Sequence, residues 1–123
     1  MTISPAGVDH VSINVPDVPG ALAFYTETLG LTQNHTRPDF GFPGEWLDTA
    51  SGQQVHLIGA EAPPNLGQHF ALVYDDLDAV VPELRGRGLE VSDPVSVGKT
   101  GRRQAFTTDP WGNAIELHER PSA

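Results

Sequence analysis

Three histidines and one glutamate, His10, His56, His69 and Glu116, are the residues of this sequence best placed to do chemistry, because two halves of the chain set them at matching points. Laying residue n over residue n+59 puts His10 on His69, Asp17 on Asp76 and Tyr25 on Leu84, with aliphatic side chains matched between them. Further along the offset becomes 60, as one inserted loop residue would produce, and Gly52 meets Gly112, Val55 meets Ile115, His56 meets Glu116 and Leu57 meets Leu117. Shared apolar periodicity accounts for the aliphatic matches but not for the polar ones, so the chain reads as an internal duplication.

Strand alternation turns that spacing into a face. His10, Ser12 and Asn14 oppose Val11, Ile13 and Val15; His56 sides with Gln54 against Val55 and Leu57; Glu116 sides with Ala114 and His118 against Ile115 and Leu117. The aliphatics face the helices, and the imidazoles and the carboxylate face a concave side. Gathering these groups in a cup is unfavourable unless something neutralises and coordinates them. A divalent cation does both, and three neutral imidazole nitrogens with one carboxylate oxygen suit Zn, Ni, Co, Fe or Mn, one ion per site. Taken singly, a strand histidine is more often a hydrogen-bonded structural residue, and Glu116 alone reads as an edge-strand charge in water. His35 follows an irregular turn with no equivalent histidine in the other copy, His118 lies near the fraying end of the repeat, and both read as surface or pocket-rim residues.

The elements that must position these groups follow from the same pattern. The first copy reads as a strand over 10–15, a helix from about Pro19 to Leu29 stopped by Gly30, and strands over about 31–36, 45–49 and 54–59. The second reads as a strand over 69–74, a helix from about Leu77 to Arg87 capped by Asp76 and ended by Gly88, and strands over about 90–91, 103–108 and 114–118. Pro82 lies past the first turn of its helix and predicts a kink or an irregular start. Ala50-Ser51-Gly52 and Asp109-Pro110-Trp111-Gly112-Asn113 are turns. The fold class is α+β: a single domain of two βαβββ modules, about 7–60 and 67–119, joined by a linker that carries Pro63-Pro64. Ser12 and Asn14 extend inward from His10, and Phe106 and Thr108 lie on the neighbouring strand's inner face, so these line a substrate pocket. Trp46, with Phe40 and Phe42, forms an apolar wall or lid, or else closes the core. Of the adjacent Arg102 and Arg103, at most one reaches the cup.

Composition narrows the partners. In 123 residues, Lys and Arg total 7 against 16 Asp and Glu, a formal net charge of −9. Phosphate backbones and anionic lipid surfaces repel such a chain, which argues against nucleic acid and membrane partners. No apolar run approaches a bilayer span and the N-terminus lacks a signal-peptide pattern, so the expected location is cytoplasmic. With no cysteine, thiolate metal sites, disulfides and Cys nucleophiles are excluded.

The residues from Asp9 to Glu119 resemble the vicinal oxygen chelate superfamily, also known as the glyoxalase, bleomycin-resistance and extradiol dioxygenase family. The resemblance rests on Asp9-His10-Val11-Ser12-Ile13-Asn14-Val15-Pro16-Asp17, on Phe24-Tyr25-Thr26-Glu27-Thr28-Leu29-Gly30-Leu31, on His69-Phe70-Ala71-Leu72, and on Asp109-Pro110-Trp111-Gly112-Asn113-Ala114-Ile115-Glu116-Leu117. It implies half-open, barrel-like sheets, a homodimer with two sites, and metal ligands at His10, His56, His69 and Glu116. It further implies a metal-dependent enzyme acting on a small oxygenated, possibly aromatic substrate, of lyase or isomerase, dioxygenase or thiol-transferase type. The alternative is a drug-binding, sequestering protein without turnover, as in bleomycin resistance. Glyoxalase I and the related epimerases place a carboxylate or amide where His56 stands, so the two-carboxylate proton shuttle is missing and Glu116 is the remaining general base. His10, His69 and Glu116 match the set of the extradiol dioxygenases and of the fosfomycin-resistance thiol transferases.

Overall fold

A computed structural model describes residues 1–120. The chain divides into two compact units, Met1–Ala62 and a second beginning at Pro63. Each is a βαβββ module with a four-stranded mixed sheet, so the α+β architecture expected from the repeat is present, and neither sheet closes into a barrel.

In the first module β1 (His10–Val15) leads to α1 (Val18–Ala23), then to a π-helical turn (Phe24–Thr28), β2 (Thr32–Asn34), β3 (Gly44–Asp48) and β4 (Gln54–Gly59). The sheet order is β1-β4-β3-β2, with β1 parallel to β4 and the other pairs antiparallel. The second module repeats this as β5 (His69–Tyr74), α2 (Leu77–Gly86), β6 (Val95–Ser96), β7 (Arg103–Thr108) and β8 (Ala114–Glu119), in the order β5-β8-β7-β6. The duplication extends to individual bonds. Asp17 and Asp76 each cap a helix, accepting from Gly20 N–H in one case and from Asp78 and Ala79 N–H in the other. The hairpins close alike: Thr49 N–H donates to Gln53 O at 2.9 Å and Gly52 N–H to Thr49 O at 3.1 Å, while Asp109 N–H donates to Asn113 O at 3.0 Å and Gly112 N–H to Asp109 O at 3.1 Å. Gly52 and Gly112 hold φ of 98° and 90°, the left-handed residue that ends such a turn.

One face of each sheet is aliphatic and buried against its helix. Val15, Leu47, Val55 and Leu57 are buried in the first module, as are Ala21 of α1 and Tyr25 of the π-helical turn. In the second, Leu72, Ala105, Ile115 and Leu117 are buried, as are Leu77, Val81 and Leu84 of α2. The opposite face carries the candidate chemistry.

Four expectations about elements need correction. The helix expected over 19–29 is α-helical only to Ala23, after which Leu29 N–H reaches back five residues to Phe24 O at 3.2 Å. The Thr26 hydroxyl donates to Leu22 O at 2.7 Å, satisfying a carbonyl that the regular ladder would have used. The strand expected at 90–91 is absent; β6 begins at Val95. Here the backbone is claimed by side chains, with Thr107 Oγ1 donating to Glu90 O at 2.8 Å and Arg85 Nη2 to Val91 O at 2.6 Å. The strand expected over 31–36 is confined to Thr32–Asn34, since the Asn34 side chain accepts from both Thr36 N–H and Thr36 Oγ1 and turns the chain. Lastly, α2 runs unbroken through Pro82: the residue is exposed, and the carbonyl it leaves unpaired, that of Asp78, lies in the exposed first turn.

Candidate functional site

Each module brings two of the four expected ligands together. In the second, β5 and β8 run parallel with His69 level with Ala114 and Ala71 level with Glu116, so the two donors share a face one step apart. His69 Nε2 lies 3.3 Å from Glu116 Oε1. The ring's other nitrogen, Nδ1, donates to Gly67 O at 2.9 Å, so the lone pair of the neutral ring is on Nε2, facing a carboxylate oxygen. Two such acceptors repel unless a proton or a cation sits between them. Donors about 2.1 Å from one tetrahedral ion stand about 3.4 Å apart, and the observed spacing is close to that bite.

Glu116 is held from its other oxygen. His118 Nδ1 lies 2.7 Å from Glu116 Oε2, and Arg102 Nη1 lies 3.3 Å from His118 Nε2. A guanidinium only donates, so His118 carries its proton on Nδ1 and gives it to the carboxylate. The expectation of His118 as a surface or rim residue is therefore corrected: its side chain is 16% exposed and orients Glu116. Alternation along β8 contained this signal, since residues two apart share a face. It separates the two arginines as well, Arg102 reaching His118 while Arg103 pairs with Glu119 and Asp78. Phe106, level with Glu116, meets the His69 ring edge-on at 5.5 Å. Thr108, level with Ala114, is on the same face and exposed.

In the first module the imidazoles of His10 and His56 stack at 3.9 Å between centroids and 14° between planes, and Trp46 stacks on the other side of His56 at 4.7 Å and 12°. β3 and β4 produce this by placing Trp46 level with His56. His10 Nδ1 is 2.9 Å from the Asp9 carboxylate, which leaves Nε2 open, as in His69. His56 differs. Asn34 and Gln54 both donate to the Asp48 carboxylate, Gln54 through its amide nitrogen at 2.9 Å. The Gln54 amide oxygen therefore faces His56 Nε2 at 2.8 Å and receives its proton, so the free lone pair of His56 is on Nδ1. Its pKa is pushed down by burial and next by the neighbouring His10, against the opposing pull of Asp9, and Arg37 adds to the downward shift.

His10, Ser12, Trp46 and His56 line a cleft of about 260 Å³ together with Arg37, Phe40 and Phe42. Of the expected pocket residues on β1, Ser12 thus reaches the cleft, while Asn14 lies further along the strand and is not part of its lining. Arg37 was not legible in advance, because it sits in an irregular loop with no counterpart in the second copy. Within either module, among the described residues, no three His, Asp or Glu side chains form one metal-binding group. The donor types present, imidazole and carboxylate with outer nitrogens held by acceptors, fit a divalent ion.

Known proteins of the same architecture agree with this arrangement of the fold. A glyoxalase family protein of Bacillus anthracis has a crystal structure that matches with a TM-score of 0.84 at 27% identity, covering 98% of this chain and 99% of that one. TnmS3, an antibiotic binding protein from Streptomyces sp. CB03234, matches with a TM-score of 0.82 at 28% identity over 98% of this chain and all of its own. The uncharacterized protein YaeR of Escherichia coli K12 is 25% identical, covering 92% of this chain and 95% of YaeR. The family described as the Glyoxalase/Bleomycin resistance protein/Dioxygenase superfamily matches residues 7–117, and the chain belongs to it.

Proposed function

We propose that this protein binds one divalent metal ion per site through His10, His56, His69 and Glu116 and uses it to act on a small oxygenated molecule. The observation that carries the reading is the approach of His69 Nε2 to Glu116 Oε1 at 3.3 Å with His69 Nδ1 already donating elsewhere. Bound there, the ion would act as a Lewis acid toward neighbouring oxygens of the substrate. Asp9 and the Gly67 carbonyl fix the tautomers of His10 and His69, and His118 with Arg102 orients Glu116. Glu116 is also the candidate general base: His118 takes Oε2, so a substrate proton would be accepted on Oε1, the oxygen that would also face the ion. A homodimer is the assembly that the family resemblance suggests.

A second reading, an aromatic-ligand binder without turnover, is favoured by the Trp46–His56–His10 stack beside Phe40 and Phe42, and TnmS3 shows that antibiotic binding occurs on this fold. Elemental analysis of the purified protein separates the two. The metal reading expects about one ion per chain, lost in His69→Ala and in Glu116→Ala while far-UV circular dichroism is unchanged. Absence of metal from the unsubstituted protein, after growth and purification with each candidate ion supplied, would overturn it.

A further inference from the structure

Arg37 holds a charge in the cleft that no carboxylate of the described residues neutralises. Arg85, Arg87, Arg103 and Arg120 each have a carboxylate oxygen within 3.2 Å. No carboxylate lies within 4.0 Å of Arg37 among the described residues. Four acidic side chains of this module are engaged with other groups: Asp9 with His10, Glu45 with Gln33, Asp48 with Asn34 and Gln54, Asp39 with the Gly41 N–H. The guanidinium is nonetheless fixed. Its Nη2 donates to Phe42 O at 3.0 Å and its Nη1 lies 3.5 Å from Pro38 O, while its central carbon stands 5.1 Å from the Phe40 ring centre and 5.2 Å from that of Phe42. Carbonyls and ring faces orient the fork without cancelling its charge, and of five N–H donors most stay free for an incoming oxygen pair.

Around it stand flat apolar surfaces. Phe40 and Phe42 stack at 5.8 Å and 19°, and Phe40 lies 6.1 Å from Trp46. At about 260 Å³ the cleft falls just below the usual range for drug-sized ligands, which begins at about 300 Å³, so it suits a molecule of one or two fused rings.

We propose that this cleft takes a small planar aromatic anion, its ring against Phe40, Phe42 and Trp46 and its carboxylate or phenolate oxygens on Arg37. The proposal names a substrate class for the site already described and rests on reading that site as one for small molecules. A bidentate anion is what a fixed guanidinium selects, and the aromatic faces select planarity.

The test is calorimetric titration of the full-length protein with 1-naphthoate and with its neutral near-isostere 1-naphthamide, both as purified and after dialysis against EDTA. The expected result is at least tenfold tighter binding of the acid in both preparations. Arg37→Gln is expected to abolish that preference, and Arg37→Lys to restore part of it. Equal binding of acid and amide by the unsubstituted protein, binding of neither, or an acid preference that survives in Arg37→Gln would overturn the proposal. Metal content measured on the same preparations keeps the two readings apart. Bound metal without acid preference sinks only the anion assignment, and acid preference in as-purified protein that holds no metal although each candidate ion was supplied during growth and purification sinks only the metal reading.

Discussion

A carboxylate that is to serve either as ligand or as proton acceptor must keep one oxygen directed and the other tethered, and Glu116 is built in that way. His118 donates to Oε2 and is itself held by Arg102, so the chain Arg102–His118–Glu116 sets which oxygen faces His69. Outer partners of this kind are worth about 10–100-fold in metal affinity. His118→Ala should therefore weaken divalent-ion binding by a factor in that range, measured by competition with a chromophoric chelator, with secondary structure retained. His118→Asn, which keeps a donor near the same place, should recover part of the loss. An unchanged affinity in His118→Ala would show that Glu116 needs no orienting group. At this scale the sequence was partly readable. The duplication pointed to His10, His56, His69 and Glu116 by equivalence, and alternation put Phe106 on the inner face of its strand, where its ring meets that of His69. What it did not disclose were partners set by side-chain direction: the Gln54 amide that turns His56 to its Nδ1 lone pair, and Arg37 in a loop without periodicity.

Elements read well where alternation was strict and poorly where side chains compete with the backbone ladder. The strands over 10–15, 54–59, 69–74 and 103–108 have the expected limits because apolar residues alternate between turn residues. The segment around Glu90 and Val91 reads as a strand by composition, yet Thr107 and Arg85 take its carbonyls. Three tests belong here. Gly112→Ala places a side chain at φ 90° and should destabilise the protein by about 1–2 kcal/mol in urea unfolding. Gly86→Ala, at the end of α2 with no neighbour within 4 Å of the new carbon, should be neutral or stabilise it by up to about 1 kcal/mol. The third test concerns the tie between β8 and α2. Glu119 accepts from Arg103 at 2.8 Å and from the Leu77 N–H at 2.7 Å, and these bonds, Arg103 first, hold its pKa down at about 2 from 4.5. The folded pKa is depressed, so its contribution is fully present above about pH 4.5 and is lost as pH falls toward 2. Arg103→Gln should flatten the dependence of the urea midpoint on pH within that window. A variant with the same acid dependence as the parent would contradict this tie.

For the whole molecule the informative feature is that each module gathers two polar side chains on one face of its sheet, His69 and Glu116 3.3 Å apart in one and two stacked imidazoles in the other. Duplication explains why: the same strand positions recur, so whatever face one copy presents the other presents too. The fold was legible because that repeat leaves an imprint on polar as well as apolar positions. The reaction was not, since the family's shared scaffold carries both metal-assisted chemistry and plain binding, and the choice lies in where a few donor atoms converge. The most direct measurement is a crystal structure of the metal-loaded protein with anomalous data collected at the absorption edge of the ion. One strong peak per site is expected, with donor atoms of His10, His56, His69 and Glu116 at about 2.0–2.2 Å. An ion held by residues of one module alone, or one lying away from His69 and Glu116, would contradict this expectation.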